Sequence, residues 1–270
     1  MYAYAPSARP VVLDPHGAAN TCANCDARPH SVCNAVPDAD IARLTAIAVV
    51  THAEPGTTFI QEGDPASHFF NISAGTVRMY KLLPDGRRQI TGFASAGHFL
   101  GLAVSESYAF NAEAIDTVRY CRFPRAKLRQ LIDDYPAMEK RLMRVASGEL
   151  VAAQDQMLLL GRKNARERLA SFLLARGPAA ESGHAPPRRF GLPMSRGDIA
   201  DYLGLTIETI SRTMTKLKGD GMIDYAGAAD MMIMDHGALR GLADGNTTGP
   251  VPFTLASLPR SMKPAPELRA

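Results

Sequence analysis

No apolar run among these 270 residues reaches the ~18 needed for a membrane-spanning helix. The opening residues, Met1-Tyr2-Ala3-Tyr4-Ala5-Pro6, lack the basic and apolar regions of a secretory signal. A cytoplasmic protein without a membrane partner is therefore expected. Also missing are G-x-S-x-G, H-E-x-x-H and G-x-x-x-x-G-K-[ST] elements, and no histidine stands beside a cysteine for nucleophilic catalysis. The expectation is a binding protein and not an enzyme. Net charge is small, +3, and does not by itself imply nucleic acid. Cysteine is scarce: four in all, with Cys22, Cys25 and Cys33 inside twelve residues and Cys121 far downstream. In a reducing compartment such a cluster is a metal or redox site more often than a disulfide framework.

What is present is the composition of an ordinary globular protein, 46% hydrophobic and 21% charged, long enough for two cores. Residues 1–34 read as an arm carrying the cysteine cluster, its first twenty residues rich in Ala, Pro and Gly and expected to be mobile. Residues 35–135 read as strands. Short apolar runs at Phe59-Ile60, His68 to Ile72, Thr76 to Tyr80, Gln89 to Phe93 and Val118 to Phe123 alternate with glycine-bearing turns. That rhythm predicts a sandwich, barrel or jelly roll. Pro84-Asp85-Gly86 marks the clearest hairpin.

Pro136 opens a helix expected to run to residue 163. Within it Met143, Ala146, Leu150, Ala153, Met157 and Leu160 recur at spacings of 3 and 4, an a/d seam of the kind that pairs with a second copy. A core helix of a single domain gives the same periodicity. Residues 164–242 follow as a second domain, interrupted by a loop near 177–190. The Gly- and Pro-bearing residues 243–270 are expected to form a disordered tail.

The most specific stretch is residues 194–218. Ser195 with Asp198 makes a start resembling a capping box, and Gly204 suits the turn between two helices. Thr206 caps the second helix, on which Ile207, Ile210, Met214 and Leu217 form the predicted buried stripe. Glu208, Ser211, Arg212 and Thr215 fall on the other side, where a recognition helix offers groups to base edges, and Lys216 and Lys218 suit phosphates. Met222 to Met234 reads as a small hairpin, the wing of a winged helix.

The E-T-I-S-R of residues 208–212, after G-D-I-A-D-Y-L-G-L-T, resembles the CRP/FNR superfamily of bacterial transcription regulators, and within it the FNR and FnrN branch. The S-G-E-L of residues 147–150 and N-A-R-E-R-L-A-S-F of residues 164–172 extend the resemblance over about Thr21 to Leu242. It implies an α+β architecture: an N-terminal β jelly-roll sensor, a long dimerisation helix and a C-terminal winged helix-turn-helix. It also implies that Glu208, Ser211 and Arg212 read double-stranded DNA, at a palindrome resembling TTGAT-N4-ATCAA. Cys22-x2-Cys25-x7-Cys33 with Cys121 is similar to the ligand set that holds a [4Fe–4S] cluster in that branch, and oxygen would then control a homodimer. On the residues alone, a zinc ion in a closed four-thiolate site is the alternative. Activators of the family touch RNA polymerase through sensor loops, which points to Asp85, Arg87 and Arg88. Family members that bind cyclic nucleotides use an arginine before the last strands. None stands in residues 105–112, so no cyclic nucleotide is expected. Seven histidines leave haem as a further possibility, although isolated ones such as His52, His68 and His98 read as surface or core residues.

Overall fold

The computed structural model describes residues 12–13, 22–102, 106–178, 188–227 and 229–245. The expected mobile arm (but for residues 12–13 and Cys22 onward), most of the 177–190 loop, nearly all of the expected tail and Ser105 lie outside them. The elements run β1 (Val12–Leu13), α1 (Ile41–Thr45), β2 (Val49–Ala53), β3 (Thr58–Ile60), β4 (His68–Ala74), β5 (Val77–Leu82), β6 (Arg88–Ala94), β7 (Phe99–Leu100), β8 (Asn111–Ala114) and β9 (Val118–Pro124). Then follow α2 (Arg125–Asp134), α3 (Pro136–Arg162), α4 (Ala165–Arg176), β10 (Arg188–Gly191), α5 (Arg196–Leu203), α6 (Ile207–Gly219), β11 (Ile223–Ala226), β12 (Asp230–Ile233) and α7 (His236–Ala243). Three 3-10 turns, Arg28–His30, Val32–Ala35 and Asp38–Asp40, precede α1.

The N-terminal domain is two antiparallel sheets, ordered β1-β2-β9-β4-β7 and β3-β8-β5-β6. Strand alternation sends Phe70, Ile72, Val118 and Tyr120 inward between them, into a core with Val77, Ala112 and Ala114. Phe69, Cys121 and Phe123, on the opposite faces of the same strands, join a second core against α2 and α3. Gly75 makes the β4–β5 turn at φ 84, where any Cβ would stand 2.5 Å from the Thr117 carbonyl oxygen. The expected α+β architecture of β sensor, long helix and C-terminal helix-turn-helix is the one observed.

Three expectations change. Residues 125–134, assigned to strand-like text, form α2, which buries Leu128 and Leu131. Residues 22–34 are not an arm: Val32 and Val36 are fully buried, and Ser31 caps the turn that carries Cys33. The loop near 177–190 ends in β10, which pairs with β12 and makes the wing three-stranded.

The second domain is pinned to the N-terminal domain. Tyr80, Ile90 and Phe93 of β5 and β6 share one core with Leu169, Phe172, Ile199 and Leu203. Arg176 lies over the rings of Phe93 and Phe172, at 5.0 and 5.9 Å.

Candidate functional site

The helix-turn-helix forms as its local chemistry dictates. The Ser195 hydroxyl accepts from the Asp198 N–H at 3.0 Å, and the Asp198 carboxylate accepts from the Ser195 N–H at 3.0 Å. Aspartate thus closes the capping box in place of the usual Glu or Gln. Gly204 ends α5 in the left-handed region, at φ 62. A Cβ there would also press on Leu160 at 3.3 Å, so the turn asks for glycine twice. Thr206 caps α6 by accepting from the Thr209 N–H at 3.2 Å.

On α6, Ile210, Met214 and Leu217 are buried, whereas Ile207 is 52% exposed. The predicted stripe loses its first member: Ile207 stands in the first turn, its side chain near Gly197 of α5 but largely open to solvent. Arg212, Thr215 and Lys216 are exposed and Ser211 is half-buried. These four line an open groove of about 380 Å³. Glu208 is exposed in the first turn. Its own backbone N–H, with the Thr206 side chain and the Arg212 charge, holds its carboxyl below the ordinary range. It is therefore an anionic acceptor beside a cation at the helix N-terminus.

The structure adds a neighbour that the sequence reading missed. Arg196, at the start of α5, donates to the Ser211 hydroxyl at 3.2 Å and lies over the Tyr225 ring at 5.9 Å. Lys218 stands over the same ring at 4.7 Å and pairs with Asp224 at 2.6 Å. A basic residue at the first position of the first helix was the available signal.

The four cysteines come together. Cys22, Cys33 and Cys121 are buried in one core with Phe69, Phe99, Phe123, Leu128 and Met138, and Cys25 is half-buried. Cys121 is near enough to each of the other three for their charges to oppose its ionisation. Burial pushes the Cys33 and Cys121 thiols up to about 12, and it raises Cys22 as well. Side-chain hydrogen bonds from Thr45 and Ser31 work the other way at Cys22 and Cys33. Among the described residues, no three His, Cys, Asp or Glu side chains are arranged to hold one metal ion. The thiols lie against the back of α3: Met138 is fully buried among them, Leu142 and Val145 pack on the same core, and Arg141 donates to the Pro29 carbonyl at 3.1 Å.

The opposite side of α3 is bare. Met143, Leu150, Val151, Met157 and Leu158 are 53–72% exposed, and at 3.6 residues per turn they span about 120° of the helix. Ala146 and Ala153 are exposed at the margin of that stripe. Leu160 is half-buried and packs toward Gly204 of its own chain, so α3 turns this seam position inward.

In the hairpin, Asp85 and Arg87 are exposed and paired with each other at 2.8 Å. Arg88 is directed elsewhere. Its guanidinium reaches Asp198 at 3.0 Å and Asp201 at 2.8 Å, both on α5, so it serves the contact between domains instead of presenting itself with the hairpin tip.

Comparison with known proteins agrees with this architecture. Residues 167–242 match the Crp-like helix-turn-helix domain and residues 50–135 the cyclic nucleotide-binding domain. The nitrogen fixation regulation protein FixK of Bradyrhizobium diazoefficiens is 42% identical over 213 residues, 79% of this chain and 89% of its own length. The transcriptional activator protein FnrL of Cereibacter sphaeroides is 34% identical over 86% of this chain and 95% of its own. Among solved structures, FixK2 from Bradyrhizobium japonicum superposes with a TM-score of 0.67 at 37% identity, covering 73% of this chain and 97% of that one. None of the described helices is long and apolar enough to cross a membrane. These relatives are regulators and not enzymes, and the chain belongs with them to the CRP/FNR family of DNA-binding transcription regulators.

Proposed function

We propose that this protein is an oxygen-responsive, cytoplasmic regulator in which Cys22, Cys25, Cys33 and Cys121 hold a [4Fe–4S] cluster that favours the DNA-binding homodimer. The observation that carries the reading is the burial of Cys22, Cys33 and Cys121 on the back of α3, with Cys25 within reach of their charge. Thiolates are the soft donors such a cluster requires. A single zinc ion would draw four sulfurs to about 2.3 Å from one point. A cluster spreads its ligands over a larger body, and metal analysis separates the two. When bound, the cluster supplies a group that oxygen dismantles.

The chain's own residues convert that loss into a change of assembly. Met138, Leu142 and Val145 pack on the thiol core while Met143, Leu150 and Met157 face away from it. A change in the thiol core therefore shifts the helix whose far side carries the apolar stripe. A few kcal/mol of bias suffices to move a monomer–dimer population. Dimerisation places two α6 helices about one turn of DNA apart, as a TTGAT-N4-ATCAA-like palindrome requires. Glu208, Ser211 and Arg212 read bases there, and Thr215 and Lys216 flank them. The target genes are those of low-oxygen metabolism. Asp85 and Arg87, exposed at the hairpin tip, are suited to touch RNA polymerase.

A cyclic nucleotide is not the effector in this reading. The interior between the sensor sheets is filled by Phe59, Phe70, Tyr108 and Tyr120, with ring centroids 4.5–6.1 Å apart. Residues 106–112 offer no arginine to a phosphate. The deciding experiment is an anaerobic preparation with iron and sulfide analysis and a spectrum at about 400 nm, repeated after air. Absorbance, iron and sulfide that vanish in air support the proposal. Stoichiometric zinc, or neither metal, refutes it.

A further inference from the structure

Asn71 stands in the middle of β4 and is 1% exposed. Its neighbours Phe70 and Ile72 point between the sheets, and Phe69 points into the thiol core, so strand alternation places Asn71 on the thiol side. Directly across the ladder from it is Cys121. Side chains opposed in this way stand about 4.5–5.5 Å apart at Cβ.

The amide is poorly satisfied. Oδ1 is buried without a hydrogen-bond partner. Nδ2 reaches only the adjacent Ile72 carbonyl, at 3.5 Å, outside the usual range of about 2.7–3.2 Å. A leucine of similar size would avoid leaving a buried polar group unpaired, so the amide calls for an explanation. The other buried thiols suggest one. Cys22 has the Thr45 side chain beside it and Cys33 has that of Ser31. Cys121, also buried, has Asn71 as the polar side chain directly opposite it in the ladder.

We propose that Asn71 is a positioning residue for the fourth sulfur, its carboxamide donating an N–H to Cys121 once that sulfur is a metal-bound thiolate. The inference rests on the reading of the four thiols as cluster ligands. Hydrogen bonds to cluster sulfurs are among the means by which a protein sets how firmly the cluster is held. The N–H donors, held in the metal-free chain only by the 3.5 Å contact to Ile72, gain an anionic acceptor in the loaded one, so the residue favours the full state, while Oδ1 stays unpaired in both.

The test compares the full-length parent with Asn71→Leu, both prepared without oxygen. Iron and sulfide per chain are measured first. The rate at which the absorbance near 400 nm is lost to excess ferrous-iron chelator under nitrogen is measured next. The melting temperature of each metal-free protein completes the set. Asn71→Leu is expected to lose iron about tenfold faster, the order expected for one charge-assisted hydrogen bond. Its metal-free form is expected to melt no lower than the parent. Faster iron loss together with a lower metal-free melting temperature would make Asn71 a packing residue only, and an unchanged extraction rate would likewise overturn the proposal. If Asn71→Leu does not accumulate in folded form, Asn71→Val carries the same measurements. A parent devoid of iron and sulfide overturns the cluster reading and this inference together. A loaded parent with an indifferent variant overturns this inference alone.

Discussion

Asp198, the residue that closes the capping box of the helix-turn-helix, accepts a charge-assisted hydrogen bond at 2.9 Å from Arg78 of the sensor. Its side chain is 3% exposed, and the same oxygen also receives Arg88 at 3.0 Å. One carboxylate therefore starts the first helix of the helix-turn-helix and ties the DNA-binding unit to the N-terminal sheet. Arg78→Ala should lower stability by about 3–5 kcal/mol, because Arg88 remains on Asp198 but the largely buried Glu113 also loses its arginine. The midpoint of urea unfolding measures it, and an unmoved midpoint would mean that the pair contributes nothing.

Arg212→Ala should weaken operator binding by about 1–3 kcal/mol per half-site and relax the preference for one base pair. The domain should stay folded, since Arg212 lies on the exposed side of α6, opposite Ile210, Met214 and Leu217. Binding to single-base operator variants at fixed salt is the measurement. An unaltered preference would take Arg212 out of the reading set.

Cys121→Ser should abolish iron and sulfide binding, although this thiol is nearly ninety residues from the nearest of the others. The burial of Cys22, Cys33 and Cys121 in one core, with Cys25 close enough for its charge to be felt at Cys121, is the reason. Metal analysis of the anaerobic variant decides it, and parental iron and sulfide content would show that the site is drawn wrongly.

Leu150→Asp should raise the dimer dissociation constant by about 100- to 10,000-fold, taking about 1.5–3 kcal/mol for each of two buried leucines. Leu150 is 61% exposed near the middle of the bare stripe, away from the thiols, so metal content should not change. Sedimentation of the metal-loaded variant without oxygen tests both points at once. A variant that sediments as a dimer would place the interface elsewhere.

The elements with strong local chemistry were legible in the sequence. Ser195, Gly204 and Thr206 punctuate the helix-turn-helix where capping and left-handed geometry require, and Pro136 opens α3 as expected. Less legible was whatever depended on partners remote in sequence. Nothing local in Val32 to Val36 says that these residues are buried against Met138, and Arg88 looks like a hairpin-tip charge until Asp198 is brought beside it. The seam of α3 shows the same division. The 3-and-4 spacing gave the helix, but only the packed fold reveals that Leu160 turns toward Gly204 while Val151 and Leu158 stand bare. Asn71 was invisible in the sequence because its interest lies in what it fails to bond.

The position of Cys121 also orders events in time. It sits on β9, bounded on one side by β2 and on the other by β4. Three thiols emerge early during synthesis, but the fourth takes its place only after the strand from Val118 to Pro124 has been made and inserted between partners formed from Val49 onward. A complete set of sulfurs is thus a product of a finished sensor domain. A chain that ends before β9 carries three of the four thiols and, on the proposed reading, lacks the fourth ligand.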